Sequence, residues 1–196
     1  MAALLAGGAV VLPTDTVYGV ATAIAVPGST AALFRLKRRP VDVALPVLCA
    51  DEGQARSLAG DLPLGAQTLM SACWPGPLTL VVPRRAGLGL DLGGPDDETI
   101  GLRVPAAPLV RAIARRTGPL ACTSANRHGR PTPPTAAEAA AALGPGVAAV
   151  LDSGRCEGVP STVLGWVGGR RRTLREGTLS ASHIIDELLA SVSESE

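Results

Sequence analysis

The alternation of short β-prone runs with longer Ala- and Leu-rich segments constrains this chain most. It excludes a block of strands followed by a block of helices and points to an α/β fold, an open sheet with helices packed on it. Seven runs read as strands: residues 9–12, 45–49, 78–82, 100–104, 120–123, 147–151 and 162–167. Helices fall between several of them. Ser29 is the expected cap of the first, which runs to about Arg38 because Pro40 drives the residue before it out of the helical region. Asp51 caps a second helix, with Gly60 just past its end, and Pro63 sits in the first turn of a third that continues toward Ala72. The Trp74-Pro75-Gly76-Pro77 sequence then forces a turn. Thr135-Ala136-Ala137-Glu138 has the form of a capping box and opens an Ala-rich helix that closes at Gly144-Pro145. A last helix, residues 182–190, carries Ile184, Ile185, Leu188 and Leu189 on one face, and the tail 191–196 is expected to fray. The Gly- and Asp-rich stretch 83–98 reads as a mobile loop.

At 196 residues and 46% hydrophobic content the chain can fill one well-buried core, so residues 1–196 are expected to form a single domain. Eighteen basic and 17 acidic side chains leave a formal charge of +1, which offers no global pull toward nucleic acid or an anionic membrane. Any polyanion site must therefore be local. No apolar run approaches the ~20 residues of a membrane helix. The apolar opening, residues 1–12, lacks the basic flank of a signal peptide. The expectation is a cytoplasmic protein without a membrane partner.

Cys49, Cys73, Cys122 and Cys156 are widely spaced, with only His128 and His183 to join them, so neither a zinc site nor a disulfide scaffold is indicated. Cys49 and Cys122 lie in apolar runs, where a thiol behaves as a small buried hydrophobe. Every cation is Arg except Lys37, which hints that its position wants a compact ammonium rather than a planar fork.

Several polar segments stand at the ends of the apolar runs. Pro13-Thr14-Asp15-Thr16-Val17-Tyr18-Gly19 follows the first strand and brings two hydroxyls and a carboxylate to a place where α/β sheets bind ligands. Alone it reads equally as a turn bonding its own backbone. Lys37-Arg38-Arg39-Pro40 is either the ordinary cationic end of a helix or a phosphate clamp in which Lys37 and Arg39 face the ligand and Arg38 points elsewhere. Thr123-Ser124-Ala125-Asn126 and Pro160-Ser161-Thr162-Val163 set small hydroxyl and amide groups beside later strands. Arg103, inside an apolar strand, needs an anion, and a substrate carboxylate would serve; otherwise it faces solvent from an edge strand. No G-x-x-x-x-G-K-[ST] loop, dinucleotide fingerprint or G-x-S-x-G elbow is present, so a bound nucleotide would need another architecture.

Taken together and in this order, these segments resemble the YrdC-like threonylcarbamoyl-AMP synthase family in its short, single-domain form. The matching pieces are residues 13–19, Lys37 with Arg39, Pro75-Gly76-Pro77-Leu78-Thr79, Arg103 with Pro105, Ser124 with Asn126, and Ser161-Thr162-Val163. The resemblance implies an open, twisted mixed sheet with a concave ligand face. It also implies an enzyme that makes threonylcarbamoyl-AMP and pyrophosphate from L-threonine, bicarbonate and ATP, for tRNA threonylcarbamoyladenosine modification. Carried over by position, Thr14, Thr16, Arg103, Thr123 and Ser161 would hold threonine, with Arg103 on its α-carboxylate. Lys37, Arg39, Thr79, Ser124, Asn126 and Arg175 would line the ATP side, and Lys37, Arg39, Ser124 and Asn126 would carry the catalytic roles. Mg²⁺ is expected with the ATP phosphates, and downstream tRNA-modification proteins would take the product. Two departures bear on the nucleotide side: Val43-Ala44-Leu45 stands where many relatives have Lys-Pro-Leu, and Leu48 where some have His.

Two rival readings exist. A non-catalytic protein that binds tRNA or rRNA would use the concave face and Arg170-Arg171-Arg172, but Tyr18, Phe34, Trp74 and Trp166 are too few for a stacking platform. The basic triplet reads by default as a solvated hairpin, leaving at most weak RNA binding. A same-fold transferase of another carbamoyl group, as in hydrogenase-maturation proteins, would carry acylphosphatase-like and zinc-finger segments that this sequence lacks.

Overall fold

The computed structural model of the protein describes residues 1–95, 98–156, 158–167, 170–180, 185 and 188. In chain order its elements are α1 (Ala2–Leu5), β1 (Ala9–Leu12), β2 (Gly19–Ala23), α2 (Ser29–Lys37), β3 (Val47–Leu48), α3 (Glu52–Leu58) and α4 (Leu64–Cys73). They continue as β4 (Leu78–Pro83), β5 (Thr99–Arg103), α5 (Pro108–Thr117), β6 (Leu120–Ser124), α6 (Ala136–Leu143), β7 (Val147–Val150), β8 (Thr162–Val167) and β9 (Arg170–Arg175). The strands form one sheet in the order β7-β1-β2-β6-β3-β5-β4-β8-β9. The pairs β1/β7, β3/β5 and β4/β8 are parallel and the remaining pairs antiparallel, so the sheet is mixed.

Strand alternation sends side chains to two apolar layers. Ala9, Val11, Val20, Val47, Leu78, Leu80, Ile100, Leu102 and Ala121 face a large cluster completed by Leu33 and Phe34 of α2, Ala55 and Leu58 of α3, Leu69 and Met70 of α4, and Ala139 and Leu143 of α6. Val10, Leu12, Ala21, Leu48, Leu120 and Cys122 face a smaller cluster covered by Leu4 of α1 and by Val110, Ile113 and Ala114 of α5. On that second face, beyond Leu48 and Cys122, the sheet presents a polar-lined cavity instead of a further helix.

All seven expected strands are present, and so are the expected caps of α3 and α6. Asp51 Oδ1 accepts from the Gln54 N–H at 2.9 Å, and the Thr135 hydroxyl accepts from the Glu138 N–H at 3.3 Å. Four elements go beyond the sequence reading: α1, β2, α5 and β9. Segment 13–18 is consequently a hairpin loop between antiparallel β1 and β2. Ser29 is not the cap of α2. Gly28 holds that position at φ 75°, and the Ser29 hydroxyl instead donates to the Ala23 carbonyl at 2.8 Å, tying the helix start to β2. The stretch read as a mobile loop is pinned in its described part. Leu92 is buried and its carbonyl accepts from the Leu45 N–H at 2.8 Å, while the Gly94 N–H donates to the Val41 carbonyl at 2.8 Å. The basic triplet opens β9, which pairs antiparallel with β8, in keeping with the hairpin reading. Of the expected last helix, residues 182–190, only Ile185 and Leu188 are described. Ile185 is buried in the large cluster and Leu188 packs on it, and the tail 191–196 lies outside the described residues.

Candidate functional site

The loop between β1 and β2 is organised by the Thr14 hydroxyl. It donates to the Val17 carbonyl at 2.6 Å and accepts from the Thr16 and Val17 N–H groups at 3.1 and 3.2 Å, so a side chain closes the turn. The Thr14 and Thr16 hydroxyl oxygens are 3.0 Å apart. Tyr18, fully buried, fastens this loop to residues 152–154. Its hydroxyl donates to the Gly154 carbonyl at 2.6 Å, lies 3.2 Å from Asp152 Oδ1 and accepts from the Ser153 N–H at 3.1 Å. Gly158 then lies so close that a Cβ built on it would stand 1.9 Å from the Thr16 carbonyl oxygen. Only glycine permits that approach.

Arg103 ends β5 facing this loop, and it is 5% exposed. The sequence reading assigned its anion to the substrate; the structure supplies one from the chain. Nη2 donates to Asp15 Oδ1 at 2.7 Å, Nη1 to the Thr16 hydroxyl at 3.1 Å, and Nε to the Gly76 carbonyl at 3.0 Å. The Pro75-Gly76-Pro77 segment thus acts as a rest for the guanidinium. All three nitrogens are engaged, so the side chain is held in place before any ligand arrives.

Two further guanidiniums line the same cavity. Arg175, at the end of β9, gives Nε and Nη2 to Ser161, donating to its carbonyl at 3.1 and 2.8 Å and to its hydroxyl at 3.0 Å. The Ser161 and Thr79 hydroxyls are 2.9 Å apart. Arg39 gives Nε and Nη2 to the Val43 and Ala44 carbonyls at 2.9 and 3.0 Å. Among the described residues Nη1 of Arg39 and of Arg175 carries no hydrogen bond. Burial and then the neighbouring Arg175 lower the pKa of Arg39; burial and then Arg103 lower that of Arg175. Cations gathered at one cavity stabilise an anion placed among them. The Val43-Ala44 departure leaves this anchoring intact, because Arg39 uses main-chain carbonyls there.

Lys37 lies apart from the cavities. It is 1% exposed, and its ammonium donates to the Ser124 and Asn126 carbonyls at 2.5 Å each, clamping the end of β6 to the loop beyond it. Burial and then Arg39 bring its pKa down to about 8. Arg38 is exposed and adopts a left-handed backbone at φ 52°, so of the three cations only Arg39 reaches the ligand space. Asn126 is committed as well. Its Nδ2 donates to the Arg127 carbonyl at 2.9 Å and to the Arg130 carbonyl, and its Oδ1 accepts from Thr132 at 3.4 Å.

These groups enclose a cavity of about 180 Å³ on the second sheet face, and the residues lining it include Thr14, Thr16, Arg39, Thr79, Arg103, Thr123, Ser124, Ser161 and Arg175. Leu48 and Cys122 supply apolar surface, and burial pushes the Cys122 thiol up to about 12, which keeps it neutral. A second cavity of about 490 Å³ shares Val17, Ser124 and Pro160 with the first, and Asn126, Arg130, Thr132 and Cys156 are among its walls. The first suits a group the size of an amino acid, and the second reaches the range of about 300–1,000 Å³ typical of larger ligands. Of the expected site residues, then, nine line the first cavity, Asn126 joins Ser124 in the second, and Lys37 lines neither. Sequence reasoning missed Asp15 as the partner of Arg103, Gly76 as its support, and the second cavity's Arg130 and Thr132. A buried Arg beside a motif containing Asp was the available signal for the first of these.

Comparison with known proteins finds relatives across most of the chain. A family model named Sua5/YciO/YrdC and described as "Telomere recombination" matches residues 2–177. A provisionally named threonylcarbamoyl-AMP synthase of Mycobacterium tuberculosis is 38% identical over 187 residues, covering 95% of this chain and 86% of the relative. The threonylcarbamoyl-AMP synthase of Bacillus subtilis is 37% identical over 186 residues, covering 93% of this chain but 54% of that longer protein. Among solved structures, Pyrococcus abyssi Sua5 complexed with L-threonine superimposes with a TM-score of 0.88 at 30% identity, over 95% of this chain and 55% of that one.

Proposed function

This chain belongs to the Sua5/YciO/YrdC family, and on that premise we propose that it is an L-threonylcarbamoyladenylate synthase. The threonine amine and bicarbonate give a carbamate and water, a carbamate oxygen attacks the α-phosphorus of ATP, and the α–β bridging bond breaks to release pyrophosphate. The observation that carries this reading is the convergence of three guanidiniums and a set of small hydroxyls on one amino-acid-sized cavity that opens beside a larger one. Adenylyl transfer asks the protein for alignment and charge neutralisation more than for covalent work. Arg39 and Arg175, each anchored through Nε and Nη2, offer their free Nη1 groups to the anionic reactants. Ser124 stands on the wall shared by both cavities, where carbamate and nucleotide would meet. Asn126 and Lys37 hold that wall in shape.

Mg²⁺ belongs to this proposal as a companion of the ATP phosphates, where it would neutralise charge on the triphosphate. Hydroxyls and guanidiniums dominate the polar lining, and among the described residues no group of three or more His, Cys, Asp or Glu is placed to hold a metal. That donor set suits a metal carried in by phosphate. We further propose that the product passes to downstream tRNA-modification proteins, that direct tRNA contact is weak and salt-sensitive, and that the enzyme works in the cytoplasm. Among the described residues no helix is long and apolar enough to cross a membrane.

Mass spectrometry of a reaction containing protein, L-threonine, bicarbonate, ATP and Mg²⁺, with each omitted in turn, tests the proposal. Threonylcarbamoyl-AMP and pyrophosphate dependent on every component are expected. Turnover of carbamoyl phosphate without threonine would sink the assignment.

A further inference from the structure

Another cavity, of about 180 Å³, lies away from the site described above, between the turn that leads into α2 and residues 89–92. It shares no residue with either of the other two cavities. Strand β2 runs from Gly19 at the first cavity to Ala23 beside this one, and α2 runs from here to Lys37. The two sites thus stand at different ends of the same elements.

The start of α2 holds unused donors. Among the described residues the Thr30 and Ala31 N–H groups meet no acceptor, as the first N–H groups of a helix have none within it. Gly28 at the cap has no side chain to offer them, and the Ser29 hydroxyl is committed to the Ala23 carbonyl. Thr30 is the more telling group. It is only 6% exposed, yet its hydroxyl makes no hydrogen bond among the described residues. Thr22 is the one described residue whose unpartnered hydroxyl is fully enclosed, so the Thr30 oxygen is reached from the cavity that its residue lines. A buried hydroxyl in that state favours an occupant that satisfies it. The wall formed by residues 89–92 adds the exposed carboxylate of Asp91, which makes no hydrogen bond or ion pair among the described residues.

A simple anion would be drawn to the helix start and repelled by Asp91, and a simple cation the reverse. A molecule carrying both charges answers both. We propose that this cavity binds a free α-amino acid with an apolar side chain, as its zwitterion. The carboxylate receives the Thr30 hydroxyl and the N–H groups at the start of α2. The ammonium donates to Asp91, and the side chain packs on Ile24, Val26 and Leu90. The volume equals that of the first cavity, which already suits a group of this size. Because the walls are separate, the occupant is an effector bound beside the reactants rather than a competitor of either.

Nuclear magnetic resonance of the isotope-labelled protein, titrated with L-valine and separately with L-leucine, tests this. Saturable amide shifts are expected at Thr30, Ala31 and residues 89–92. On the wild type 3-methylbutanoate, which is valine without its amine, should bind at least about tenfold more weakly than valine, and Asp91→Asn should bring the two within about threefold. Thr30→Val, with Thr30→Ala as a second variant, should weaken both ligands about tenfold. Equal binding of valine and 3-methylbutanoate to the wild type would overturn the zwitterion. Shifts confined to Thr16 and Ser124, or no saturable shift with either amino acid, would overturn the site. The readout is binding alone, so either result leaves the proposed reaction to its own test, and the exposed Asp91 gives a variant that does not disturb the core.

Discussion

Lys37 and Arg39 sit two residues apart and carry the same formal charge, yet their surroundings assign them different work. Lys37 donates to the buried Asn126 carbonyl and shares that of Ser124 with the Asn126 N–H, so replacing it with Met removes the side-chain donor of the first, at about 1–3 kcal/mol, and leaves the second with one partner. For a chain of this size each kcal/mol is about 2–4 °C in Tm. Lys37→Met should therefore lower Tm by more than about 2 °C, read by differential scanning calorimetry. Arg39→Ala should leave Tm within about 2 °C, since its acceptors lie on an exposed loop, and should raise the KM for ATP. Similar Tm losses from both would mean that Lys37 is not a clamp. The pH dependence separates them again. Burial lowers the folded pKa of Lys37 from 10.5 to about 8, so the unfolded chain binds more protons between those values, and this group's contribution to stability rises with pH across that window. That rise should be absent in Lys37→Met when the denaturant midpoints of both proteins are compared from pH 7.5 to about 10.

At the scale of elements, the contact between Gly158 and the β1–β2 loop is the one most sensitive to a single methyl group. Gly158→Ala puts that group 1.9 Å from the Thr16 carbonyl, and either its own backbone or the loop must move. The expected result is a loss of about 1–3 kcal/mol in stability and a kcat/KM for threonine reduced at least about tenfold. Gly53 provides the contrast. It lies in α3 with 3.4 Å to its nearest neighbour, so Gly53→Ala should stabilise by about 0.5–1 kcal/mol and leave kcat/KM unchanged. The elements also differ in how far the sequence disclosed them. Helix α5 had its pattern written out: Pro108 at the first position, Val110, Ile113, Ala114 and Thr117 at helical spacing, and Gly118 beyond the end. It was readable and was overlooked. Strand β2 was not, because Gly-Val-Ala-Thr-Ala has weak strand character and is extended by its place between β1 and β6. Strand β9, rich in Arg, is held as an edge by pairing with β8. The motifs located nine residues of the first cavity, since hydroxyls and cations at strand ends are visible locally. The Arg103–Asp15 pair joins positions far apart in the chain, and the burial of Lys37 depends on β6, so neither could be read along the sequence.

Across the whole molecule, charge is distributed so that recognition of the nucleotide is local. The chain carries a net +1, too little to steer an anion from a distance. The cavity wall nevertheless gathers Arg39, Arg103 and Arg175 against the single carboxylate of Asp15, which already neutralises Arg103. The excess positive charge is therefore that of Arg39 and Arg175. ATP carries several negative charges and threonine, as a zwitterion, carries none overall, so salt should distinguish the two substrates. Raising NaCl from about 0.05 to about 0.3 M should increase the KM for ATP severalfold and leave that for threonine within about twofold. Arg175→Gln should flatten the salt dependence for ATP by removing one of the two uncompensated cations. If threonine proved the more salt-sensitive substrate, its carboxylate rather than the triphosphate would be the anion that these guanidiniums hold.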